Sequence, residues 1–321
     1  MMTINGMEVE ALRGETILEA ARRAGCDIPS LCHAKGMKHR ASCMVCAVRD
    51  CDTGQIIPSC TTVPTEGMRI DATGDDVRTV RSLSLELLLS DHRADCEAPC
   101  SLVCPQGLDV ERLLLFHDRD KPEEARRILV RAFALPAIAC DTCKAPCEKA
   151  CRRGTVDKPV AIRAIVRELA AASPADTLQP GEETPAGADK KAYLSRLGRF
   201  RSDEKAYLQE NTPSPSRCLH CACAGRKDCK LRLYATAEGI KRPRYEASSA
   251  LPAMKKIHVG GNMWFEQAKC IRCGLCVYNS ENGFTFSGRG FAMQVTLPEE
   301  NKPNISKTLA SLCPTGAIYL S

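Results

Sequence analysis

The sequence predicts an α+β chain of several small domains, each organised around bound metal rather than around one large apolar core. Cysteine supplies 21 of the 321 residues, while only 4% are aromatic. The cysteines are grouped, in blocks at 32–60, 96–104, 140–151, 218–229 and 270–313. A chain this poor in large side chains has little with which to build cores, and small domains solve that shortage by letting a bound inorganic centre staple the fold. Disulfides are the competing use of so many thiols. The first residues, MMTINGMEVEALRG, have no basic stretch leading into an apolar one, so the sequence gives no sign of export, and a cytoplasmic location is expected. The odd cysteine count also fits complete pairing poorly. No run of 18 apolar residues occurs, so no membrane insertion is expected.

At the front, residues 1–10 read as a hairpin, with Asn5-Gly6 supplying the two positive-φ positions of a type I′ turn. Glu15 to Ala24 then reads as a helix with Ile17, Leu18 and Ala21 on one face, stopped by Gly25. Hairpin, helix, cysteine-rich loop and the later strands in IIPSC and MRIDA describe a β-grasp ferredoxin over residues 1–76. Cys32, Cys43, Cys46 and Cys60 form C-x10-C-x2-C-x13-C there. The C-x2-C pair brings two sulfurs to one metal core from a single turn, and the distant cysteines close its other side. Zinc loops rarely use such spacing. With GETILEAARRAG, IPSLC and PSCTTVPTEGM around it, the segment resembles the N-terminal 2Fe–2S domain of FeFe hydrogenases and of the large iron–sulfur subunit of respiratory complex I. That resemblance implies a 2Fe–2S cluster on these four residues.

Residues 77–172 hold Cys96-x3-Cys100-x3-Cys104-Pro105 and then Cys140-x2-Cys143-x3-Cys147-x3-Cys151. ERLLLFHDRDKPEEARRILVRA between them reads as helices, and Ile162, Ile165, Val166 and Leu169 mark one face of another. The CP dipeptide, APCEKACRRG and VAIR resemble the helical double-4Fe–4S domain at the front of the glutamate synthase small subunit and of dihydropyrimidine dehydrogenase. In that family the two blocks interleave. Carried over, this implies one 4Fe–4S cluster on Cys96, Cys100 and Cys151, and another on Cys104, Cys140, Cys143 and Cys147, with the division between Cys140 and Cys143 open. The first set is one ligand short. His92 stands four residues upstream of Cys96, in the H-x3-C phrase that opens the histidine-ligated cluster motif of complex I and hydrogenases. It is the expected fourth ligand, against the plain reading of a helix-end histidine.

Residues 173–215 have linker composition, with one short helix expected around Lys190–Phe200. In 216–255, Cys218, Cys221, Cys223 and Cys229 put four thiols within twelve residues, and either a 4Fe–4S cluster or a Zn ion would suit them. His220 between them reads as exposed. Residues 256–321 carry Cys270, Cys273 and Cys276 at C-x2-C-x2-C, with Cys313-Pro314 later. This resembles a bacterial ferredoxin with one 4Fe–4S cluster, and FSGRGFAMQVTLPEE resembles the matching module of hydrogenases and complex I. Where a two-cluster ferredoxin has its next cysteine, this chain has Ser280. Cys26 and Cys51 are left over without an assigned role.

The expected fold is thus α+β multidomain: a β-grasp 2Fe–2S ferredoxin, an α-helical double-cluster ferredoxin and a C-terminal bacterial-ferredoxin-like module. The expected cofactors are one 2Fe–2S and three to four 4Fe–4S clusters, a Zn replacing one 4Fe–4S being the alternative. The formal charge of +6 counts each cysteine as a neutral thiol. Five clusters contributing roughly −9 would bring it to about −3, so the basicity is internal balance and no nucleic-acid partner is expected. No G-x-G-x-x-G follows a strand, Gly260-Gly261 and Gly288-x-Gly290 are isolated, and no Walker A motif occurs, so no flavin or nucleotide site and no catalytic residue is expected on this chain. The resemblances imply an electron-transfer subunit of a soluble multisubunit oxidoreductase. Its partners would be a flavoprotein subunit using NAD(P)H and a second redox unit, a hydrogenase, a formate dehydrogenase or ferredoxin. Electron bifurcation would suit so branched a wire. A free-standing multicluster ferredoxin, or a redox-sensing or cluster-scaffold protein, is the other class of reading.

Overall fold

The computed structural model describes residues 1–92, 95–155, 157–171, 216–223, 229–240, 245, 256–300 and 305–320. The helix expected around Lys190–Phe200 lies outside the described residues. The chain divides into two units. Unit 1 comprises 1–92, 228–252 and 257–321, and unit 2 comprises 93–227 and 253–256.

Unit 1 begins with β1 (Met2–Ile4) and β2 (Met7–Val9), antiparallel around Asn5 and Gly6, whose φ values of 50° and 82° are those of the expected turn. Helix α1 (Ile17–Arg23) follows, started by a reciprocal cap: the Thr16 hydroxyl accepts the Glu19 amide while the Glu19 carboxylate accepts the Thr16 amide. Gly25, at φ 81°, lies just past its end. Strands β3 (Ala47–Asp50), β4 (Ile56–Pro58) and β5 (Arg69–Asp71) complete a sheet of order β2-β1-β5-β3-β4, in which β1 and β5 are parallel. Met2, Ile4, Ile17, Leu18, Ile28, Val48 and Ile70 fill the core between α1 and the sheet. Helix α2 (Asp75–Asp91) then runs 17 residues. Residue 76, the boundary expected from the sequence, falls within its first turn. The buried stripe of α2 is Val77, Arg81, Leu85 and Leu89, and the Arg81 guanidinium donates from Nε (3.0 Å) and Nη2 (2.7 Å) to the Ala47 carbonyl oxygen of β3.

Unit 2 is helical in its described parts: α3 (Pro99–Leu102), α4 (Val110–Asp118), α5 (Pro122–Ala132), α6 (Pro146–Lys149) and α7 (Ile162–Ala171). The one-turn helices α3 and α6 both open on Ala-Pro-Cys. Proline at the first position costs nothing because that amide has no intrahelical acceptor. Leu108, Leu113, Leu114, Leu129, Ile162 and Val166 form the core beneath them.

The rest of unit 1 contains α8 (Lys230–Ala237), a three-stranded sheet of β6 (Lys256–Gly260), β7 (Met263–Glu266) and β10 (Ile318–Leu320), and a hairpin of β8 (Thr285–Ser287) with β9 (Gln294–Thr296). The short helices α9 (Leu275–Tyr278) and α10 (Thr308–Leu312) flank its cysteines. Gly260 and Gly261 form the bend between β6 and β7, a structural use for the pair. Leu231 and Ala235 of α8 pack with Leu85 and Leu89 of α2, and Ser82 donates to Glu238 at 3.1 Å. No helix among the described residues is long and apolar enough to cross a membrane.

Candidate metal centres

Cys32, Cys43, Cys46 and Cys60 converge behind α1, each at most 6% exposed. Their sulfurs lie within hydrogen-bonding reach of one another. Thiol bonds from Cys43 and Cys60 pull Cys32 far below the ordinary thiol range, and a bond from Cys60 pulls Cys46 down. Cys43 and Cys60 are pushed up by the same bonds, with burial and like charge adding to the effect. Four such sulfurs cannot all ionise unless positive charge enters between them, and a cationic iron–sulfide core supplies it. The set fits the expected group.

Cys270, Cys273, Cys276 and Cys313 line one small cavity of about 20 Å³ with Phe265, Leu275 and Thr315. Burial pushes Cys270 up to about 12 and raises Cys273 and Cys276 further, the neighbouring sulfurs adding to it. The Arg272 amide donates to Cys270 Sγ (3.3 Å) and the Ile318 amide to Cys313 Sγ (3.5 Å), which favours thiolate over thiol. Glu266 and Lys269 form a buried pair at 2.8 Å beside the set. Ser280 accepts the Phe284 amide at 3.0 Å, so it caps a turn where a second cluster's ligand would stand.

In unit 2, Cys104, Cys140, Cys143 and Cys147 line one cavity of about 410 Å³. Burial pushes Cys147 up to about 12 and raises Cys140, for which Cys143 and Cys104 add to the effect. Four sulfurs around an apolar-walled space suit a polyatomic core. Cys100 and Cys151 pack in the unit's core together with Cys218 and Cys221. Asp95, 1% exposed, is held by Arg152 through two bonds of 2.8 and 3.0 Å. Cys96 follows it in the chain and is buried.

His92 caps the end of α2, its amide bonded to the Leu89 carbonyl at 3.3 Å, and stands four residues before Cys96. Cys218, Cys221 and Cys223 belong to unit 2. Cys229 belongs to unit 1, at the start of α8, where it packs in one apolar cluster with Cys32, Cys43 and Cys273. His220 is not exposed as the sequence suggested. It bridges Glu111 (Nδ1, 3.2 Å) and Asp118 (Nε2, 2.9 Å). Burial works against its protonation, but bonds to Asp118, Cys218 and Glu111 outweigh that and hold it at about 11. Its two ring nitrogens are spent on carboxylates rather than on a metal. Cys26 packs against the core of α1, and Cys51 is exposed.

Three family models match the chain: a 2Fe–2S iron–sulfur cluster binding domain over residues 1–74, dihydropyrimidine dehydrogenase domain II with a 4Fe–4S cluster over 90–176, and a 4Fe–4S single cluster domain over 263–320. Among curated proteins, the NADP-reducing hydrogenase subunit HndD of Solidesulfovibrio fructosivorans is 37% identical over 115 residues, 34% of this chain and 19% of that protein. The NADH-ubiquinone oxidoreductase 75 kDa subunit of Reclinomonas americana is 28% identical over 152 residues, 44% of this chain and 21% of that protein. The alignments therefore span about a fifth of those relatives' length. A crystal structure of an NAD+-reducing NiFe-hydrogenase in the H2-reduced state has a similar fold, with TM-score 0.52 and 18% identity, covering 100% of this chain and 86% of that one. Converging cysteine sets and three matched segments lead to one statement: this is an iron–sulfur protein, built from 2Fe–2S and 4Fe–4S binding domains.

Proposed function

We propose that the chain is the electron-relay subunit of a multisubunit NAD(P)-linked oxidoreductase. The observation that carries this reading is the apolar cluster in unit 1 that joins Cys32 and Cys43 of the first cysteine set to Cys273 of the last, through Leu31, Leu85 and Ile271. Two modules far apart in sequence are packed set against set, the arrangement a relay needs and a lone cluster site does not. In this reading Cys32, Cys43, Cys46 and Cys60 hold a 2Fe–2S cluster. Cys104, Cys140, Cys143 and Cys147 hold a 4Fe–4S cluster, as do Cys270, Cys273, Cys276 and Cys313, and a further one involves Cys100 and Cys151. The parallel β1–β5 pair with α1 packed on the sheet supports a β-grasp domain at the front.

Bound clusters supply one-electron carriers. The chain's own residues hold the sulfurs, exclude water from them and aim amides at Cys270 and Cys313. The partners are a flavoprotein subunit that exchanges hydride with NAD(P)H and a second redox unit, a hydrogenase, a formate dehydrogenase or ferredoxin. Relatives named for NADP, hydrogenase and NADH chemistry support this choice. Anaerobic isolation of the native protein tests it. The expected result is a flavoprotein co-purifying with a chain that holds about 14 to 18 iron atoms, for three or four 4Fe–4S clusters beside the 2Fe–2S. The separated chain should bleach with dithionite and stay coloured with NADH until the flavoprotein is returned. A chain that isolates alone, or that NADH bleaches unaided, would sink the proposal.

A further inference from the structure

The turn Cys218-Leu219-His220-Cys221 is built like Cys270-Ile271-Arg272-Cys273. In each the second residue is a buried aliphatic, Leu219 at 4% and Ile271 at 7% exposure. In each the third residue is basic and has left-handed backbone, φ 46° at His220 and 56° at Arg272. That conformation is costly for a residue with a Cβ and persists only where its surroundings impose it. In each the amide of that third residue donates to the first cysteine's sulfur, at 3.4 and 3.3 Å. The three other C-x2-C turns differ, with the left-handed residue at Met44 (φ 53°) in the first, at Cys140 itself (φ 67°) in the second and at Gly274 (φ 80°) in Cys273–Cys276.

Unit 2 holds the 218–221 turn in place from several sides. Ser216 donates its amide (3.0 Å) and hydroxyl (2.7 Å) to Asp118. His220 spans Glu111 and Asp118, whose side chains are 4% and 6% exposed. The Cys223 amide donates to the Asp95 carbonyl at 2.8 Å, extending a parallel bridge between Asp95 and Ala222. So anchored, the turn's two cysteines share the unit's core with Cys100 and Cys151; Cys104, Cys140 and Cys147 are in that core too, but they line the cavity of the other set. Arg152, next to Cys151, holds Asp95 through two bonds, and the Arg153 guanidinium donates to the Arg217 carbonyl at 3.4 Å, so the neighbours of Cys151 are tied to the neighbours of Cys218 and Cys223.

We propose that Cys218 and Cys221 complete a 4Fe–4S centre with Cys100 and Cys151, its four thiolates drawn from three separate stretches of chain. The C-x2-C turn at 218 is then part of the helical unit's wiring, and that centre needs no histidine ligand. The inference rests on the iron–sulfur relay reading above.

The test compares the full chain, reconstituted anaerobically, with Cys151→Ala, Cys218→Ala, Cys221→Ala and the Cys151→Ala/Cys218→Ala double variant. Each single variant should lose about 4 iron atoms and the same EPR signal from the dithionite-reduced protein. The double should lose no more than either single, because both remove one centre. A double that loses about 8 iron atoms, or wild-type iron in both Cys218→Ala and Cys221→Ala, overturns the proposal. The 2Fe–2S signal reports whether a variant has folded. Where alanine abolishes that signal, Cys218→Ser offers an oxygen donor and should shift the g-values of the same centre, and unshifted values overturn the proposal equally. Wild-type protein that takes up no iron would instead defeat the relay reading itself.

Discussion

Two ion pairs stand beside cysteine sets in this molecule, and they are built over very different spans. Glu266 and Lys269, beside the C-terminal set, are three residues apart, whereas Asp95 and Arg152 in the helical unit are 57 apart. The spaces that the neighbouring cysteine sets enclose differ as well. Cys270, Cys273, Cys276 and Cys313 close on about 20 Å³, whereas Cys104, Cys140, Cys143 and Cys147 line about 410 Å³, although each set has three cysteines close in sequence and one distant. His220 reaches partners 109 and 102 residues away. A local site is positioned by its own turn. A site assembled from distant segments is positioned by the unit's fold, and the bound core in turn holds those segments together.

Stripping iron with a chelator under oxidising conditions should give the largest contrast. The helical unit should lose most of its helical circular dichroism and become protease-sensitive within 95–171, while 257–320 stays resistant. Equal loss in both would remove the distinction. Next in size is Asp95→Ala, which removes two charge-assisted bonds from the half-buried Arg152 guanidinium at a cost of about 3–5 kcal/mol. Glu266→Ala should cost less, about 1–3 kcal/mol, because Lys269 keeps the face of the Tyr319 ring at 5.2 Å. Denaturant unfolding followed by cluster absorbance measures both, and equal costs would show that span is not what matters. Arg81→Met asks whether a long-range contact is as consequential in unit 1. It removes the donors to Ala47 and should lower stability by about 1–3 kcal/mol, read as earlier loss of the 2Fe–2S signal on heating. The smallest effect is expected of Ser280→Cys. One added sulfur cannot build a second core, so iron content should stay at the wild-type value, and stability should fall by about 1 kcal/mol or less as the cap on Phe284 is lost. A gain of about 4 iron atoms would show that the module retains a latent second site.

Local features were the legible ones. Asn5-Gly6, the Gly25 stop, the strands in IIPSC and MRIDA, and the C-x2-C-x2-C run all depend on neighbours in sequence, and the structure shows each element. Helix α2 was hidden because its buried stripe at 77, 81, 85 and 89 has an arginine in the middle, which defeats a hydrophobic-period reading. The cysteines at 218–229 read as one group because they are close in sequence. The contacts that hold them are ones spacing cannot reveal: Ser216 and His220 on Asp118, and Cys229 at the head of α8 against α2. The one local hint was Leu-His between Cys218 and Cys221, which parallels Ile-Arg between Cys270 and Cys273.

The anchoring of residues 216–223 onto the helical unit also sets a timetable for synthesis. Cys218 follows Cys151 by about seventy residues, so at about 5–20 residues per second it arrives roughly 3–13 s later. The front domain has all four of its sulfurs once Cys60 is made and can be loaded while the ribosome is still working. With Cys218 and Cys221 as ligands, the helical unit cannot be fully loaded so early. Through that interval Cys100 and Cys151 are an unfinished pair of thiols, open to oxidants, and the order of translation becomes the order of metallation.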